Sequence, residues 1–441
     1  MIGYRSNPKD WKVFQRRLKA KTRRKRFASR GFLLLAYILL VSASYAGSRI
    51  LANGEIEAGA EVARRGHEEK IGSERLIKQD LSALISPLNL DLNPSDETQF
   101  LVVHDQKKLK VEVSLNAGLQ TYILKLLRRS RTSQTAVIAL KPTTGQILAM
   151  ASYDQSGKRE NLCLKADFPA ASIFKIISAA AAIEASGFTP DKTVAFKGKK
   201  HTLYKSQLKQ DEGRYSTKIS FKRAFSESIN PVFGKIGIYD LGEESLSEYS
   251  DKFLFNQEIP FDLPLAVSSI RIPKDGFGLA EVSSGFNKST LVSTLHVSLI
   301  TAAIANCGMI VEPWLVRRVQ DESGEALYRA RYARLGKAVE EETARQLKIL
   351  MKETVLNGTC RKAFLPLRRN KSFQDIEIGA KTGTINNSQD SAKFDWVTVY
   401  ALPKELERGI CITVLAIHGK ILGIRASEMA RHIIQQYYTS L

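Results

Sequence analysis

Residues 172–185 read SIFKIISAAAAIEA, an alanine-rich apolar run that predicts a helix headed by a serine. Lys175 lies three positions after Ser172, so the two side chains share one helix face, about 5–6 Å apart at Cβ. The neighbouring Phe174 and Ile176 would bury the lysine amine, and burial lowers the pKa of a lysine. A neutral amine can take the proton of a serine hydroxyl, so this run predicts Ser172 as a nucleophile and Lys175 as its base.

The Ser-x-x-Lys spacing is weak evidence by itself, because it occurs three times, at Ser6, Ser172 and Ser206. In the simpler interpretation Ser172 only caps a helix and Lys175 is a solvated helix residue. Two further motifs follow Ser172 along the chain, namely Ser228-Ile229-Asn230 and Lys381-Thr382-Gly383-Thr384. Three short motifs in this order, on a predicted helix, loop and strand, indicate the site of a serine acyltransferase.

The third motif has the chemistry that such a site needs. A second cation at Lys381 would lower the pKa of Lys175 further. Gly383 has no side chain, so an extended peptide could pair with this strand edge. The hydroxyls of Thr382 and Thr384 would lie on one face of the strand, because side chains alternate along it.

Apolar runs around the motifs predict the fold class. Residues 135–140 and 146–152 flank a Lys-Pro-Thr-Thr-Gly turn and predict a β-hairpin. Three further strand-like runs lie near the end of the chain, at 376–384, 396–402 and 410–417. Helical patterns begin at 114, fill the stretch 172–305 and close the chain at 424–438. The sequence therefore predicts an α+β fold, with a five-stranded, mainly antiparallel sheet flanked by helices and an all-helical insert.

The N-terminus carries a basic segment and then an apolar one. Residues 1–31 contain twelve Lys and Arg and one acid, and no charged residue lies between Arg30 and Arg49. This pattern predicts a basic cytoplasmic tail (1–31) and one transmembrane helix (32–48), with the rest of the chain outside the membrane. A cleaved signal peptide is the alternative, but the long basic segment favours a retained anchor. We expect a short stalk or pedestal over 49–113 and a catalytic domain over 114–441.

The formal net charge of +21 suggests a nucleic-acid partner, but more than half of it lies in the first thirty-one residues. The rest is spread thinly and forms no basic stripe, so we expect no nucleic-acid binding. Four cysteines (Cys163, Cys307, Cys360 and Cys411) fit no zinc or haem spacing, and Cys411 lies in an apolar run typical of a core. We therefore expect no metal site.

With these motifs the sequence resembles the penicillin-binding transpeptidase family, over about residues 114–438. The resemblance extends to a leading helix at 115–120, the hairpin at 139–150, a glycine turn at 276–278 and a helix end at 303–308. The single anchor and the lack of a glycosyltransferase region are similar to the monofunctional class B members. The resemblance implies a penicillin-binding protein of the bacterial cytoplasmic membrane, single-pass, with its catalytic domain on the periplasmic side. It implies no cofactor.

The resemblance also implies a role for each motif residue. Ser172 would be acylated by a peptidoglycan stem peptide ending in D-Ala-D-Ala, with Lys175 as general base, and β-lactams would inhibit by acylating the same serine. Ser228 would pass a proton to the leaving amine, Asn230 would hold Lys175 and the substrate amide, and Lys381 would tune the site electrostatically. Substrate binding falls to Thr382, Gly383 and Thr384, and a glycosyltransferase would be a partner.

The sequence departs from the family pattern at three places. Pro169-Ala170-Ala171 stands where many members have Pro-Gly, residues 394–400 lack the common Trp-Phe-x-Gly-Tyr pattern, and the stalk is short. Three alternatives to a transpeptidase remain at this point. The same site could serve a D,D-carboxypeptidase or a β-lactamase, although the motifs include no additional base for water. The chain could also be a non-catalytic cell-wall scaffold or a β-lactam sensor.

Overall fold

The computed structural model describes residues 76–92, 97–210, 215–387 and 389–440. Within these residues the strands, in chain order, are β1 (Gln99–His104), β2 (Lys107–Val113), β3 (Gln134–Leu140), β4 (Ile147–Asp154), β5 (Phe168–Pro169), β6 (Thr193–Phe196), β7 (Thr217–Ser220), β8 (Leu291–Val292), β9 (Met309–Val311), β10 (Val316–Gln320), β11 (Ala326–Arg329), β12 (Arg334–Lys337), β13 (Glu377–Asn386), β14 (Lys393–Leu402) and β15 (Ile410–His418).

The α-helices of the same residues are α1 (Leu81–Ile85), α2 (Ala117–Arg128), α3 (Lys175–Glu184), α4 (Phe221–Ser226), α5 (Asn230–Lys235), α6 (Gly242–Lys252), α7 (Gly276–Ser284), α8 (Thr294–Ala305), α9 (Glu341–Leu356), α10 (Arg361–Arg369) and α11 (Ala426–Thr439). A π-helical turn at Ile236–Leu241 joins α5 to α6.

The main sheet has five strands in the order β13-β14-β15-β3-β4, and every neighbouring pair is antiparallel. The predicted five-stranded antiparallel sheet is therefore confirmed. Its strands combine the hairpin before Ser172 with three strands from the end of the chain, as the sequence predicts. β13, which carries the Lys-Thr-Gly-Thr motif, is an edge strand of this sheet.

Helices cover both faces of the main sheet. On β3, Ala136, Ile138 and Leu140 belong to one apolar core, together with residues of α3 and α8. Val137 and Ala139 alternate with them and belong to a second core, with residues of α2, α10 and α11. Because both faces are buried, the strands read as continuous apolar runs rather than alternating ones.

The stretch 172–305 is mostly helical, but the prediction that it is all-helical is wrong. β6 and β7 form an antiparallel pair inside it, and β8 in the same stretch pairs with β5, which precedes it. These strands have two to four residues each, and twenty residues separate β6 from β7. Such short runs are too brief to show a period of two, so tertiary pairing determines them.

The segment before residue 114 contributes two strands that the sequence analysis did not foresee. β1 pairs with β2, and β2 pairs with β10, in a second sheet of order β1-β2-β10-β11. The short helix predicted near Leu81–Ile85 is present as α1. Residues 99–113, which the sequence assigns to a stalk, thus share a sheet with residues 316–329.

The predicted basic tail (1–31) and the predicted transmembrane helix (32–48) lie outside the described residues. Among the helices that the structure describes, none has the length and apolar character needed to cross a bilayer.

Candidate active site

Ser172 lies in a short 3-10 helix, Ala171–Phe174, and the α-helix begins only at Lys175. The predicted helix therefore starts one turn later than expected. Ala171 has a φ of 49°, a left-handed conformation that costs an alanine roughly 1–3 kcal/mol and that favours a tighter turn before the helix. This is the position where the sequence departs from the Pro-Gly pattern.

Two hydrogen bonds hold the segment before Ser172 in place. The indole Nε1 of Trp396 donates to the carbonyl of Pro169 at 2.9 Å, and the Ala170 N–H donates to the carbonyl of Thr290 at 2.9 Å. The serine is thereby fixed against β14 of the main sheet and against the strand pair β5–β8.

Lys175 is fully buried on α3, a helix whose residues 175–183 are all buried. Burial lowers the pKa of Lys175 well below its usual value, and the nearby charge of Lys381 lowers it further. This is the direction that the sequence predicts, from the same two causes.

The contacts of the Lys175 amine define its protonation chemistry. Nζ lies 2.9 Å from Ser172 Oγ and 2.7 Å from Asn230 Oδ1, and it also donates to the carbonyl of Ser284. The amide oxygen and the carbonyl can only accept hydrogen bonds. A neutral amine gives its two protons to these two acceptors, so its lone pair is directed at the hydroxyl of Ser172. The geometry therefore suits removal of the serine proton.

Asn230 and Ser228 are positioned by the loop that leads into α5. The Asn230 Nδ2 donates to the carbonyl of His201 at 3.1 Å, which turns Oδ1 towards Lys175. Ser228 has a φ of 56°, and its Oγ lies 3.0 Å from the Nζ of Lys381. The second motif thus bridges the two lysines.

Lys381 is fully buried on β13, where its Nζ also donates to the carbonyl of Thr382 at 2.8 Å. Burial lowers the pKa of Lys381 to about 7, although Cys360 opposes this shift. The amine lies 5.4 Å from the centre of the Phe225 ring. Lys381 can therefore change its charge near neutral pH.

The threonines of the third motif face a cleft beside the serine. Thr382 and Thr384 line this cleft together with Ser172, Ser228 and Asn230, and the cleft has a volume of about 720 Å³. A Cβ added to Gly383 would lie 3.1 Å from Ile173 and 3.3 Å from the carbonyl of Ala170, so glycine lets β13 approach the serine turn closely. The structure therefore brings all eight predicted site residues together.

Several cleft residues were missed by the sequence analysis. The hydroxyl of Thr359 lies 2.6 Å from that of Thr382, and the Thr359 N–H donates to the carbonyl of Ser226 at 3.0 Å. Gly285, with a φ of 63°, follows the Ser284 carbonyl that accepts from Lys175. A lone threonine or a Ser-Gly pair carries no signal in the sequence, because its role arises only from tertiary contact.

Asp395 and Arg425 form an ion pair in the cleft wall, with Arg425 Nε donating to Asp395 Oδ2 at 2.7 Å. Burial would raise the pKa of Asp395, but hydrogen bonds from His418 and Arg425 outweigh it, and the pKa lies below its usual value. A carboxylate in an otherwise apolar strand is a signal that the sequence analysis could have used, because buried acids are almost always paired.

No cluster of His, Cys, Asp and Glu side chains suited to a metal ion occurs among the residues that the structure describes. The cysteines of these residues are unpaired, and Cys411 is buried in the core, as predicted.

Comparison with known proteins found a matching family model and several similar proteins. A family model described as the penicillin binding protein transpeptidase domain matches residues 135–403. The chain is 26% identical over 268 residues to the stage V sporulation protein D of Bacillus subtilis. This match covers 57% of this chain and 40% of the length of that protein. It is 24% identical over 430 residues to the peptidoglycan D,D-transpeptidase PbpA of Mycobacterium tuberculosis, covering 88% of this chain and 82% of the other.

The fold is similar to that of a solved structure, penicillin-binding protein A of M. tuberculosis as an imipenem acyl-enzyme complex. The TM-score is 0.61 at 22% sequence identity, and the match covers 74% of this chain and 79% of the other. At this identity the structural match establishes the common fold.

Proposed function

We propose, because this chain belongs to the penicillin-binding protein transpeptidase family, that it is a serine D,D-transpeptidase that cross-links peptidoglycan stem peptides. One observation carries the proposal. A fully buried lysine, Lys175, has its amine 2.9 Å from the hydroxyl of Ser172, and its two other hydrogen bonds go to acceptor-only oxygens. This arrangement prepares a serine for nucleophilic attack.

In the first half-reaction Lys175 takes the Oγ proton of Ser172 while the oxygen attacks the carbonyl carbon between the two terminal D-alanines. The backbone N–H groups of Ser172 and Thr384 form the oxyanion hole for the tetrahedral intermediate. The C–N bond then breaks, an ester forms on Ser172, and the nitrogen of the departing D-alanine gains a proton through Ser228.

Lys381 supports this proton transfer, because its Nζ lies 3.0 Å from Ser228 Oγ. In the second half-reaction an amine from a neighbouring stem peptide attacks the ester carbonyl. A new amide bond forms, the proton of the amine leaves through the same groups, and Ser172 regains its hydroxyl.

Substrate binding uses the open edge of β13. The peptide extends along this edge at Gly383, and the hydroxyls of Thr382 and Thr384 donate hydrogen bonds to the terminal carboxylate. A β-lactam carries a comparable carboxylate and a strained amide, so it acylates the same serine and inhibits the enzyme.

The N-terminal segment supports a place at the membrane. Its basic tail (1–31) and apolar run (32–48) favour a single-pass anchor with the catalytic domain on the extracytoplasmic side. The stretch 49–113 then connects the anchor to the catalytic domain. A glycosyltransferase that polymerises the glycan strands is the partner that such an enzyme requires.

The proposal is tested with the full-length chain in detergent and a fluorescent penicillin. We expect one stable covalent adduct per chain and none in Ser172→Ala, with the same thermal unfolding midpoint in both proteins. A D-Ala-D-Ala peptide with an added acceptor amine should give mainly the amide product. The free acid as sole product would indicate a carboxypeptidase, rapid loss of the penicillin adduct would indicate a β-lactamase, and no adduct would contradict the proposal.

A further inference from the structure

The ion pair between Arg425 and Asp395 lies beside the substrate-binding threonine at the end of the cleft. Asp395 Oδ1 is 3.5 Å from the hydroxyl of Thr384 and 3.3 Å from the Nη2 nitrogen of Arg425. One carboxylate oxygen therefore lies between the threonine and the guanidinium. The Thr384 hydroxyl and the guanidinium are therefore close enough for one carboxylate in the cleft to bridge them.

Arg425 keeps donors available for such an anion. A guanidinium has five N–H groups, and within the described residues Asp395 accepts from Nε and from one terminal nitrogen. Three N–H groups therefore remain, and the side chain is 42% exposed and lines the cleft. Because Asp395 holds the planar guanidinium of Arg425 in a fixed orientation, less side-chain entropy is lost when these N–H groups bind a ligand.

Two groups besides Arg425 also offset the negative charge of Asp395. The Ala426 N–H, at the start of α11, donates to Asp395 Oδ2 at 3.2 Å, so the positive end of the helix dipole lies at this carboxylate. His418 Nε2 also contacts it at 3.4 Å. Asp395 is 3% exposed and thus presents little negative charge to the cleft.

The other charged residues that line the cleft leave this end positive. Lys288 and Lys393 line it as cations, and Asp390 is the remaining acid. With Arg425 and Asp395 the described lining residues therefore include three cations and two acids. A carboxylate fits this balance, and a cationic ligand does not.

We propose that Arg425 is a specificity-determining residue that binds the terminal carboxylate of the substrate next to Thr384, with Asp395 as the positioning residue that holds its guanidinium. The inference rests on the proposed function, since it assigns a further donor to the same substrate. It adds a charge-assisted contact to the two hydroxyl contacts of Thr382 and Thr384.

The test uses the full-length chain and two thioester substrates that differ only in one charge. Each is an N-acyl-D-alanyl thioester, with thioglycolate or its neutral amide as leaving group. In Arg425→Gln we expect kcat/KM for the thioglycolate ester to fall by roughly 10- to 100-fold, the range for loss of a hydrogen bond to a charged group. For the amide we expect a change below about threefold, so the ratio between substrates should collapse.

Two further variants keep the test decisive. Arg425→Lys keeps the positive charge but lacks the planar guanidinium, so we expect a ratio of the two kcat/KM values between those of the wild type and Arg425→Gln. It also supplies a second variant to measure if Arg425→Gln does not fold. Lys393→Gln removes another cation from the same cleft and should leave the ratio within about threefold of the wild-type value.

Several outcomes would overturn the inference. Equal losses on both substrates in Arg425→Gln would reduce Arg425 to a structural role. If the ratio of the two kcat/KM values were unchanged in both Arg425→Lys and Arg425→Gln, a contact between Arg425 and the carboxylate would be excluded. If that ratio collapsed in Lys393→Gln, the selectivity would depend on the overall charge of the cleft. In each case the wild-type chain still turns over the thioesters, whereas a chain that forms no acyl-enzyme on Ser172 would not turn them over at all.

Discussion

Lys175 and Lys381 lie in one buried site, and the proposed function gives them different roles that depend on pH in opposite directions. Lys175 acts as a base only when neutral, so its activity is present above its lowered pKa and is lost as the pH falls through that value. Lys381 can tune the site electrostatically only when it is charged, and the charged state is lost as the pH rises through about 7. We therefore expect the second-order rate constant for acylation by a penicillin to rise as the pH passes the lowered pKa of Lys175, to reach a maximum, and to decline above about pH 7.

Stopped-flow acylation across the pH range checks this prediction, with Lys381→Arg as the matched variant. Arginine stays charged at every accessible pH, so its profile should lose the alkaline decline and keep the acid one. An alkaline decline at the same pH in both proteins would show that another group titrates there.

Residue types explain which parts of the site the sequence could predict. Ser172, Lys175 and Lys381 stand out because a serine and two lysines are unusual neighbours for apolar runs that form a buried helix and strand. Arg425 and Thr359 gave no such signal, since exposed arginines and threonines are common and only the fold brings them to the cleft. The carbonyl of Ser284, which completes the contacts of Lys175, belongs to the backbone and cannot be read from a side chain.

At the scale of elements, the turn that carries Ser172 depends on a glycine at the end of α7. Gly285 has a φ of 63°, and a Cβ built on it would lie 2.0 Å from the carbonyl oxygen of Ala171. Gly187 follows α3 with a φ of 64° and has open space around its Cβ position. The two glycines have similar φ angles, but Gly285 is buried against Ala171 whereas Gly187 is exposed.

We expect Gly285→Ala to displace the serine turn and to lower the acylation rate at least tenfold, which corresponds to about 1.4 kcal/mol. Gly187→Ala should cost only the left-handed conformation, about 1–2 kcal/mol of folding stability, and leave the rate unchanged. Acylation kinetics and thermal unfolding of both variants check this. Equal acylation rates in the two variants would show that the contact with Ala171 is unimportant.

The elements that the sequence predicted well are the long ones. β13, β14 and β15 have nine or ten residues each, and in β14 and β15 nearly every residue is buried, so the apolar runs of these two extend over most of the strand. β1 reads QFLVVH, so its apolar run at 100–103 is a strand signal that the sequence interpretation overlooked within a charge-mixed stretch. β6 and β7 were missed because four residues are too few to show a period.

At the scale of the whole molecule, the second sheet links the stalk region to the catalytic domain. Leu109, Val111 and Val113 on β2 are buried, and β2 pairs with β10. The compact unit that contains the described residues begins at Glu74 rather than at residue 114. A fragment that starts at 114 would expose the edge of β10 and lose these apolar contacts.

We therefore expect a fragment of residues 74–441 to be soluble and acylated by penicillin. A fragment of residues 114–441 should aggregate or unfold roughly 10 °C lower, because each buried aliphatic side chain contributes about 1.5–3 kcal/mol. Differential scanning calorimetry of both fragments checks this. Equal unfolding temperatures would mean that β1 and β2 add nothing to the stability of the fold.

The covalent bond between a β-lactam and Ser172 is the most direct test of the account. Trypsin cleavage after Lys165 and Lys175 releases the peptide ADFPAASIFK, in which Ser172 is the only serine. Tandem mass spectrometry of the penicillin-treated chain should find the added mass on this serine and on no other peptide. A penicillin-treated chain with this peptide unmodified, or with the added mass elsewhere, would contradict the assignment of Ser172 as the nucleophile.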